Sequence, residues 1–264
     1  MNQTRLGAVG YLNARPLVHG LEQRTDRFHV RFDVPSRCAT LLHEGAIDLG
    51  LIPSIEYLRS PEPYRVVPDL GIVSDGEVAS VALFSRVPLD EVRRIGLDTS
   101  SRTSAGLTRV LCREAWKIEP VFETVAPGVA AAVAGCDAAL LIGDPALFLD
   151  YEAAGLLKFD LGLEWTRLTG LPFVWAFWAG RAGAIDSAGV AALQAARDHG
   201  VEDSDAIADA YCGPARSAVC RRYLRDNIKY RLSDREERGL GRYYELAAEH
   251  GVVDRAGAID LFQG

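Results

Sequence analysis

Three loops near the start of the chain each place a neutral polar residue shortly after a predicted strand. These residues are Asn13, Ser36 and Ser54, and the strands predicted before them lie at 5–9, 28–33 and 49–52. A carboxamide or a hydroxyl both donates and accepts hydrogen bonds, so such a set can orient the hydroxyl and carboxyl groups of one small ligand. A second interpretation stays open for each of them, because Asn and Ser at a helix start commonly cap the helix.

A second polar cluster, residues 97–105 (LDTSSRTSA), follows another apolar run and opens a helical pattern. Backbone N–H groups at a helix start are unpaired and lie at the positive end of the helix dipole. Together with several hydroxyls they form a site for a carboxylate that needs no lysine. We therefore expect Ser101, Thr103 and Ser104 to bind an anionic part of the ligand.

Two further segments, residues 78–81 and 142–146, are placed by the chain order where they can line the same cleft. The first contributes Ser80 and the second Asp144, and both are candidates for binding the substrate. Asp144 has an equally good interpretation as the cap of the helix that follows it.

Several common chemistries lack their motifs in this sequence. It contains no Gly-rich dinucleotide loop, no phosphate-binding loop, no nucleophile elbow and no HExxH, and its five histidines have no metal-ligand spacing. We expect neither a metal nor a cofactor. The formal charge of -7 argues against a nucleic-acid partner, which needs a clustered basic face.

The cysteines and the apolar segments bear on location. The five cysteines are scattered and no pair has CxxC spacing, so we expect neither a disulfide framework nor a zinc site. The N-terminus lacks the apolar core of a signal peptide, and the apolar stretch at 168–180 is too short to span a bilayer. These features favour a reduced cytoplasm.

The elements that must position these loops follow a β/α pattern. Strands are predicted at 5–9, 28–33, 49–52, 66–72, 78–85, 94–97, 120–123, 138–142 and 173–179, and helices at 15–21, 38–44, 54–58, 103–116 and 128–134, with a short helix after Pro145. The remainder, 185–262, is helical in pattern, with helices at 188–199, 203–210, 214–227 and 233–250. Ser233 and Glu236 form a capping-box signature for the last of these.

This order predicts an α/β protein with two lobes, a ligand cleft between them and a helical C-terminal part. The first lobe would combine residues 1–86 and 176–264, and the second would be the βαβ insertion at 87–175. Ligands of open α/β sheets bind beyond the carboxyl ends of the strands, so both lobes would direct their loops into the cleft.

Five segments, in order along the chain, resemble the menaquinone-biosynthesis chorismate dehydratases, the MqnA branch of the MqnA/MqnD family. They are residues 10–17 (GYLNARPL), 48–57 (DLGLIPSIEY), 98–104 (DTSSRTS), 141–144 (LIGD) and 168–174 (LTGLPFV). The resemblance implies the type II periplasmic-binding-protein fold, which agrees with the two-lobed interpretation. It also implies a carbon–oxygen lyase that converts chorismate into 3-[(1-carboxyvinyl)oxy]benzoate and water on the futalosine route to menaquinone.

With this resemblance, two points stay open: which group removes the ring proton, and whether one of two alternative functions applies. No histidine or well-placed glutamate stands among the loops, so either Asp144 or another acid, or the enolpyruvyl carboxylate of the substrate itself, removes the ring proton. We favour the substrate carboxylate, and we expect Asn13 to act by orienting it or the departing hydroxyl. The rivals are the sister branch, a 1,4-dihydroxy-6-naphthoate synthase-like enzyme with a different N-terminal loop, and a non-catalytic carboxylate-binding protein.

Overall fold

Two β-sheets with helices packed on them form the two lobes of the protein. The structure is a computed structural model and describes residues 3–98, 100–125 and 135–263. Strands β1 to β11 are, in chain order, Thr4–Val9, Phe28–Asp33, Leu49–Pro53, Tyr64–Val66, Ile72–Ser74, Val81–Ser85, Arg94–Asp98, Val121–Val125, Ala138–Ile142, Leu157–Asp160 and Phe173–Arg181. Helices α1 to α8 are Pro35–His43, Arg102–Glu114, Asp144–Leu147, Leu161–Thr169, Ser187–Glu202, Ser204–Cys212, Ser217–Arg222 and Asp234–Glu249.

The first sheet has the strand order β2-β1-β3-β11-β4, and β5 also pairs with β11. Strand β1 is parallel to both β2 and β3, as the alternation of strands and helices predicts. Strand β11 returns from the second lobe and is antiparallel to its neighbours. Every residue of β3 is buried, and β11 is buried except for its last residue. Burial on both faces explains why these two central strands are almost wholly apolar.

The second sheet has the order β10-β6-β9-β7-β8. Strand β7 is parallel to β8 and β9, whereas β6 and β10 run antiparallel. The chain therefore crosses between the lobes twice, once between Ser74 and Val81 and once between Asp160 and Phe173. These crossings correct the division drawn at 86/87 and 175/176: Val81–Ser85 belongs to the second sheet, and β11 lies wholly in the first.

Several predicted elements differ from the observed ones for local reasons. The predicted strand at 66–72 is split into β4 and β5, because Pro68 lacks an N–H and Asp69 has a φ of 58°. The predicted helix at 15–21 is a pair of 3-10 helices, Leu12–Val18 and Leu21–Gln23, and the first contains Pro16. The helix predicted at 54–58 is also a 3-10 helix, Ser54–Tyr57. The helix predicted at 128–134 lies outside the described residues.

One strand and one helix of the second lobe were not predicted. Strand β10 pairs with β6, and Asp160 at its end caps α4 by accepting a hydrogen bond from the N–H of Leu163. Gly170 ends the helix with a φ of 71°. The sequence thus contains a capping residue, Asp160, and a terminating glycine, Gly170, but the apolar residues between them do not show a clear helical period.

The C-terminal part is helical as predicted, and α8 begins with the capping box of Ser233 and Glu236. The segment predicted as one helix at 214–227 is α7 followed by a π-helical turn, Tyr223–Asn227. None of the helices in the described part of the chain is long and apolar enough to cross a membrane.

The cysteine prediction was wrong in one respect. Cys212 at the end of α6 and Cys220 in α7 form a disulfide, with their Cα atoms 6.7 Å apart. The two cysteines are eight residues apart in the sequence, a spacing that matches no common motif. Because disulfides are rare in reduced compartments, the cysteines no longer support a reduced cytoplasm.

Candidate functional site

A small cavity of about 50 Å³ lies between the two lobes. Its walls combine the loops after β1 and β3, the crossings between the lobes and the start of α2. The lining residues are Val9, Tyr11, Asn13, Pro35, Pro53, Ile72, Val78, Val81, Ser101, Ser104, Ile142, Gly143, Trp175 and Ala176. Among these described residues none is charged, so the surface offers hydroxyls, one carboxamide and apolar faces.

Asn13 lies in the 3-10 helix Leu12–Val18 and faces this cavity. It does not cap the helix, because Tyr11 occupies the N-cap position and no side chain caps there. The Asn13 Oδ1 atom is buried and has no hydrogen-bond partner among the described residues. A buried carbonyl oxygen without a partner is costly, so its position favours a ligand contact over a capping role.

The phenol of Tyr223 is buried and contacts Ser80. Burial raises the pKa of Tyr223, and the hydrogen bond with Ser80 lowers it in part. The Ser80 hydroxyl is 2.6 Å from the Tyr223 hydroxyl. Ser80 was predicted to bind substrate; the structure places its hydroxyl on Tyr223, and Ser80 is not among the cavity-lining residues.

The crossing that carries Ser80 is held by Asp160. The Asp160 carboxylate accepts hydrogen bonds from the N–H groups of Val78 and Ala79, at 3.0 and 2.8 Å, and also caps α4. Burial raises the pKa of Asp160, and these backbone donors oppose that rise. Ala79 has a φ of 62°, a left-handed conformation that costs energy for any residue with a Cβ. The carboxylate thus keeps a strained turn beside the site.

Tyr11 spans the cavity from the first lobe to the second. Its ring packs against Gly143, where an added Cβ would come within 3.3 Å of the ring carbons. Burial raises the pKa of Tyr11, a hydrogen bond with Ser100 lowers it, and the charges of Asp98 and Asp144 raise it further. Gly143 has a φ of 64°, so a side chain there would be both strained and in contact with Tyr11.

The start of α2 forms the second-lobe wall, as the sequence predicts. Ser101 caps the helix by accepting a hydrogen bond from the N–H of Ser104 at 3.4 Å. The two hydroxyls are 2.8 Å apart, and both residues line the cavity. Two neutral hydroxyls from the start of α2 therefore lie on the second-lobe wall of the cavity.

Ser54 and Thr103 join the two lobes beside the cavity rather than lining it. The Ser54 hydroxyl donates to the carbonyl of Val174 at 2.8 Å, and the Thr103 hydroxyl accepts from the N–H of Ile55 at 3.2 Å. Both residues are fully buried. Their hydroxyls are satisfied by the protein, and their predicted role in substrate binding stays a prediction.

Ser36 and Asp144 also lie outside the cavity lining, and neither caps a helix. Val34 and Gly143 hold the respective N-cap positions without side-chain bonds. The Ser36 N–H donates to the carbonyl of Ser100 at 3.2 Å, which adds another contact between lobes.

The Asp144 carboxylate is engaged at the rim of the cleft. It accepts a hydrogen bond from the hydroxyl of Tyr211 in α6, so the bond connects the second lobe to the first. Burial and this bond raise the pKa of Tyr211. The guanidinium of Arg15 packs on the other side, 5.3 Å from the Tyr211 ring centre.

A buried ion cluster joins the lobes on another side. The Glu56 side chain is 1 % exposed and contacts Arg102 at 2.5 Å, Arg59 at 3.1 Å and His43 at 3.3 Å. Burial raises the pKa of Glu56, but the hydrogen bond from His43 and the two guanidinium groups outweigh it, so the net pKa is lowered. Arg102, from the second cluster of the sequence, therefore pairs with a carboxylate of the protein.

A larger open groove of about 770 Å³ lies on the outer side of the first lobe, between the helix Leu12–Val18 and α6. Its polar residues include His19 and Asp203, which pair with each other at 3.1 Å. The cavity between the lobes is the better candidate site although it is smaller, because residues from both lobes form it and Asn13 lines it.

Sequence reasoning missed the aromatic residues of the site. Tyr11 lies in the same loop as Asn13 but was not proposed as a contact, and Trp175, Tyr211 and Tyr223 lie far from Asn13 in the sequence. The helical pattern around the last two gave no signal beyond ordinary core tyrosines.

Comparison with known proteins identifies relatives of the chain. The sequence model of a family described as menaquinone biosynthesis matches residues 4–249. A chorismate dehydratase from Thermus thermophilus is 31% identical over 263 residues, which cover 91% of this chain and 93% of that protein.

Solved structures with the same fold have lower identity. Protein AF1704 from Archaeoglobus fulgidus superposes with a TM-score of 0.77 at 17% identity, covering 95% of this chain and 98% of its own. The alkanesulfonate-binding protein SsuA from Xanthomonas axonopodis, bound to MOPS, has a TM-score of 0.68 at 18% identity, covering 95% and 94%. These likenesses confirm the two-lobed periplasmic-binding-protein fold.

Proposed function

We propose that this chain, which belongs to the menaquinone biosynthesis family, removes water from chorismate to give 3-[(1-carboxyvinyl)oxy]benzoate. The enzyme is then a carbon–oxygen lyase of the hydro-lyase type. The observation that carries the proposal is Asn13, which lines a neutral cavity between the lobes and whose buried Oδ1 has no partner among the described residues. The chorismate dehydratase named above supports the choice of substrate.

The start of α2 suits one carboxylate of the substrate. Ser101 and Ser104 offer hydroxyls there, and the first turn adds backbone N–H groups at the positive end of the helix dipole. The walls of Trp175, Val78 and Ile142 suit the flat ring that forms as the product becomes aromatic.

The base is the enolpyruvyl carboxylate of the substrate. The described lining residues carry no charge, and Asp144 is engaged with Tyr211 at the rim. The carboxylate takes the proton from the ring carbon that bears the ether oxygen, and the C–H electron pair becomes the new ring double bond. The neighbouring C–O bond breaks, and the hydroxyl leaves with the proton as water. Positioning is the main contribution of the protein, and it is worth several powers of ten in well-aligned reactions.

Substrate entry requires the lobes to move apart. A cavity of about 50 Å³ holds little more than one or two water molecules, whereas sites for small ligands measure roughly 300–1,000 Å³. This arrangement leaves little room for water and brings the start of α2 towards Asn13. Closure around the substrate would therefore assemble the site.

The partner of the chain in this proposal is a small dicarboxylate, with no nucleic acid or membrane. The cytoplasm remains the proposed location, now because of the biosynthetic family and not because of the cysteines.

Incubation of the purified protein with chorismate tests the proposal. Chromatography should show loss of chorismate and an equal amount of 3-[(1-carboxyvinyl)oxy]benzoate. Chorismate that binds but is not consumed would support a carboxylate receptor instead. If chorismate is neither bound nor consumed, the sister activity, formation of 1,4-dihydroxy-6-naphthoate, becomes the alternative to assay.

A further inference from the structure

Strand β11 carries a β-bulge where it reaches the cavity between the lobes. Its antiparallel pairing with β5 shifts by one residue between Val174 and Ala176, which leaves Trp175 without a partner in that strand. The pairing with β3 begins only at Ala176. Successive side chains of a regular strand point to opposite faces, yet Trp175 and Ala176 both line the cavity. The bulge therefore directs the Trp175 indole into the cavity wall.

The indole of Trp175 is held in this direction by Ser74. The Trp175 Nε1–H donates to the Ser74 hydroxyl oxygen at 3.1 Å, and Ser74 is fully buried. A Cβ atom at Gly162 in α4 would come within 2.7 Å of that oxygen, so the close approach of α4 keeps the hydroxyl in place. Because its only N–H group is used by Ser74, the indole offers a ligand ring carbons and no donor.

Phe173 supports the indole from the core. The Phe173 and Trp175 ring centres lie 4.4 Å apart. Phe173 is fully buried and packs edge-on against Trp165 and Tyr243, with ring centres 5.3 and 4.9 Å away. An indole that turned out of the wall would leave a gap beside these rings, which costs free energy in a packed core. Trp175 is therefore a fixed aromatic part of the cavity wall.

We propose that Trp175 is a specificity-determining residue whose indole favours a flat aromatic ring over the puckered cyclohexadiene ring of chorismate. The inference rests on the proposed function and deepens it. Aromatic rings make stacked or edge-to-face contacts that are worth more than their buried area alone. As water leaves, the substrate ring flattens and its contact with the indole improves. Trp175 therefore stabilises the transition state more than the bound substrate.

The two ligands of the reaction depend differently on this contact. Chorismate and 3-[(1-carboxyvinyl)oxy]benzoate both carry two carboxylates and the enolpyruvyl ether, but only the product ring is aromatic. Loss of the indole should raise the product Kd by about tenfold. The Kd of chorismate should change by less than about threefold, because its ring lacks the aromatic contact.

The test compares Trp175→Leu, which keeps apolar bulk without an aromatic ring, with Trp175→Phe, which keeps a ring. Calorimetric titration gives the product Kd, and chorismate is titrated in an Asn13→Ala background, where turnover is slow. Trp175→Leu should show the tenfold loss of product affinity and a kcat lower by about tenfold, with KM changed less than about threefold. Trp175→Phe should stay within about threefold of the wild type in both.

Intrinsic fluorescence reports the contact directly. Of the four tryptophans in the sequence, Trp175 alone is among the described residues that line the cavity. Saturation with the product should change the fluorescence of the wild type, and most of this change should be absent in Trp175→Phe. Trp178→Phe is the matched control and should keep it, because Trp178 lies in the same strand, is fully buried and does not line the cavity.

A second route covers the case in which Trp175→Leu does not fold. Ser74→Ala keeps the indole but removes the acceptor of its N–H group. It should weaken product binding by about threefold or more and leave the Kd of chorismate within about twofold of the wild type.

Three results would overturn the inference. These are wild-type product affinity in Trp175→Leu, equal weakening of product and chorismate binding, and a product-induced fluorescence change that persists in Trp175→Phe. Failure of the proposed function looks different, because the wild type then forms no product from chorismate. The titrations and the fluorescence measurement need no turnover, so they still decide whether Trp175 favours an aromatic ring.

Discussion

Glu56 offers a stability test of how the lobes are joined. Its side chain is 1 % exposed and pairs with Arg102 from the second lobe and Arg59 from the first. Removing one partner of a buried pair costs about 3–5 kcal/mol. Arg102 and Arg59 keep 38% and 37% of their side-chain surface in water, which reduces the loss. We therefore expect Glu56→Gln to lower the free energy of unfolding by about 2–3 kcal/mol at neutral pH.

The pH dependence gives this prediction its sharpest form. The folded protein lowers the pKa of Glu56, because His43 and the guanidinium groups outweigh the effect of burial. Its stabilising contribution is therefore complete above the unfolded pKa of about 4.3 and is lost as the pH falls through the lower folded value. The difference between wild type and Glu56→Gln should be largest at about pH 7 and shrink towards about pH 3.5.

Urea unfolding followed by circular dichroism measures both effects. If the free energy of unfolding falls by about 3 kcal/mol for each molar of urea, the expected loss lowers the urea midpoint by about 1 M at pH 7. Glu62→Gln is the control, because Glu62 pairs with Arg181 at the surface and should change the midpoint little. A midpoint difference that is absent at pH 7, or that stays constant as the pH falls, would refute the account of the Glu56 cluster.

Three further predictions concern the site and the fold. Asp144→Asn should lower kcat/KM less than about tenfold, because a residue that acts as the base would cost about 10²- to 10⁴-fold; steady-state kinetics with chorismate decides between the two. Ser104→Ala should mainly raise KM, since its hydroxyl lines the cavity and binds substrate and transition state alike; a loss confined to kcat would contradict that role. Reduction of the Cys212–Cys220 disulfide should lower the free energy of unfolding by about 2–3 kcal/mol for so short a loop; equal urea midpoints with and without dithiothreitol would show that the bond adds nothing.

The apolar strands of the sheets could be predicted closely from the sequence. Ala138–Ile142 matches the predicted bounds because it is a fully buried, short apolar run with clear ends, and Phe28–Asp33, an edge strand, matches them because its apolar and polar residues alternate. The helix after Ser233 also begins as predicted, since its capping box is a local signal. Strand bounds and helix starts could therefore be predicted where neighbouring residues alone determine them.

The candidate site could be predicted only in part, because its contacts join distant parts of the chain. Asn13, Ser101 and Ser104 were found from their places after strands and at a helix start. Tyr223 is separated from Asn13 by most of the chain, and nothing near it in sequence marks it as different from a core tyrosine.

The same limit applies to the bonds between the lobes. Whether a hydroxyl faces the cavity or the opposite lobe depends on how the two lobes meet. The Thr103 hydroxyl, for example, accepts a hydrogen bond from the N–H of Ile55 in the first lobe. Helix-start patterns identify such hydroxyls but do not give their partners.

The most direct test of the central claim is the rate at which wild type and Asn13→Ala convert chorismate. The account predicts that the wild type forms one 3-[(1-carboxyvinyl)oxy]benzoate for each chorismate consumed. Asn13→Ala should remain folded and show a kcat/KM lower by about 100-fold or more. Equal rates for the two proteins would remove Asn13 and its cavity from the reaction, and a wild type that forms no aromatic product would contradict the proposed function itself.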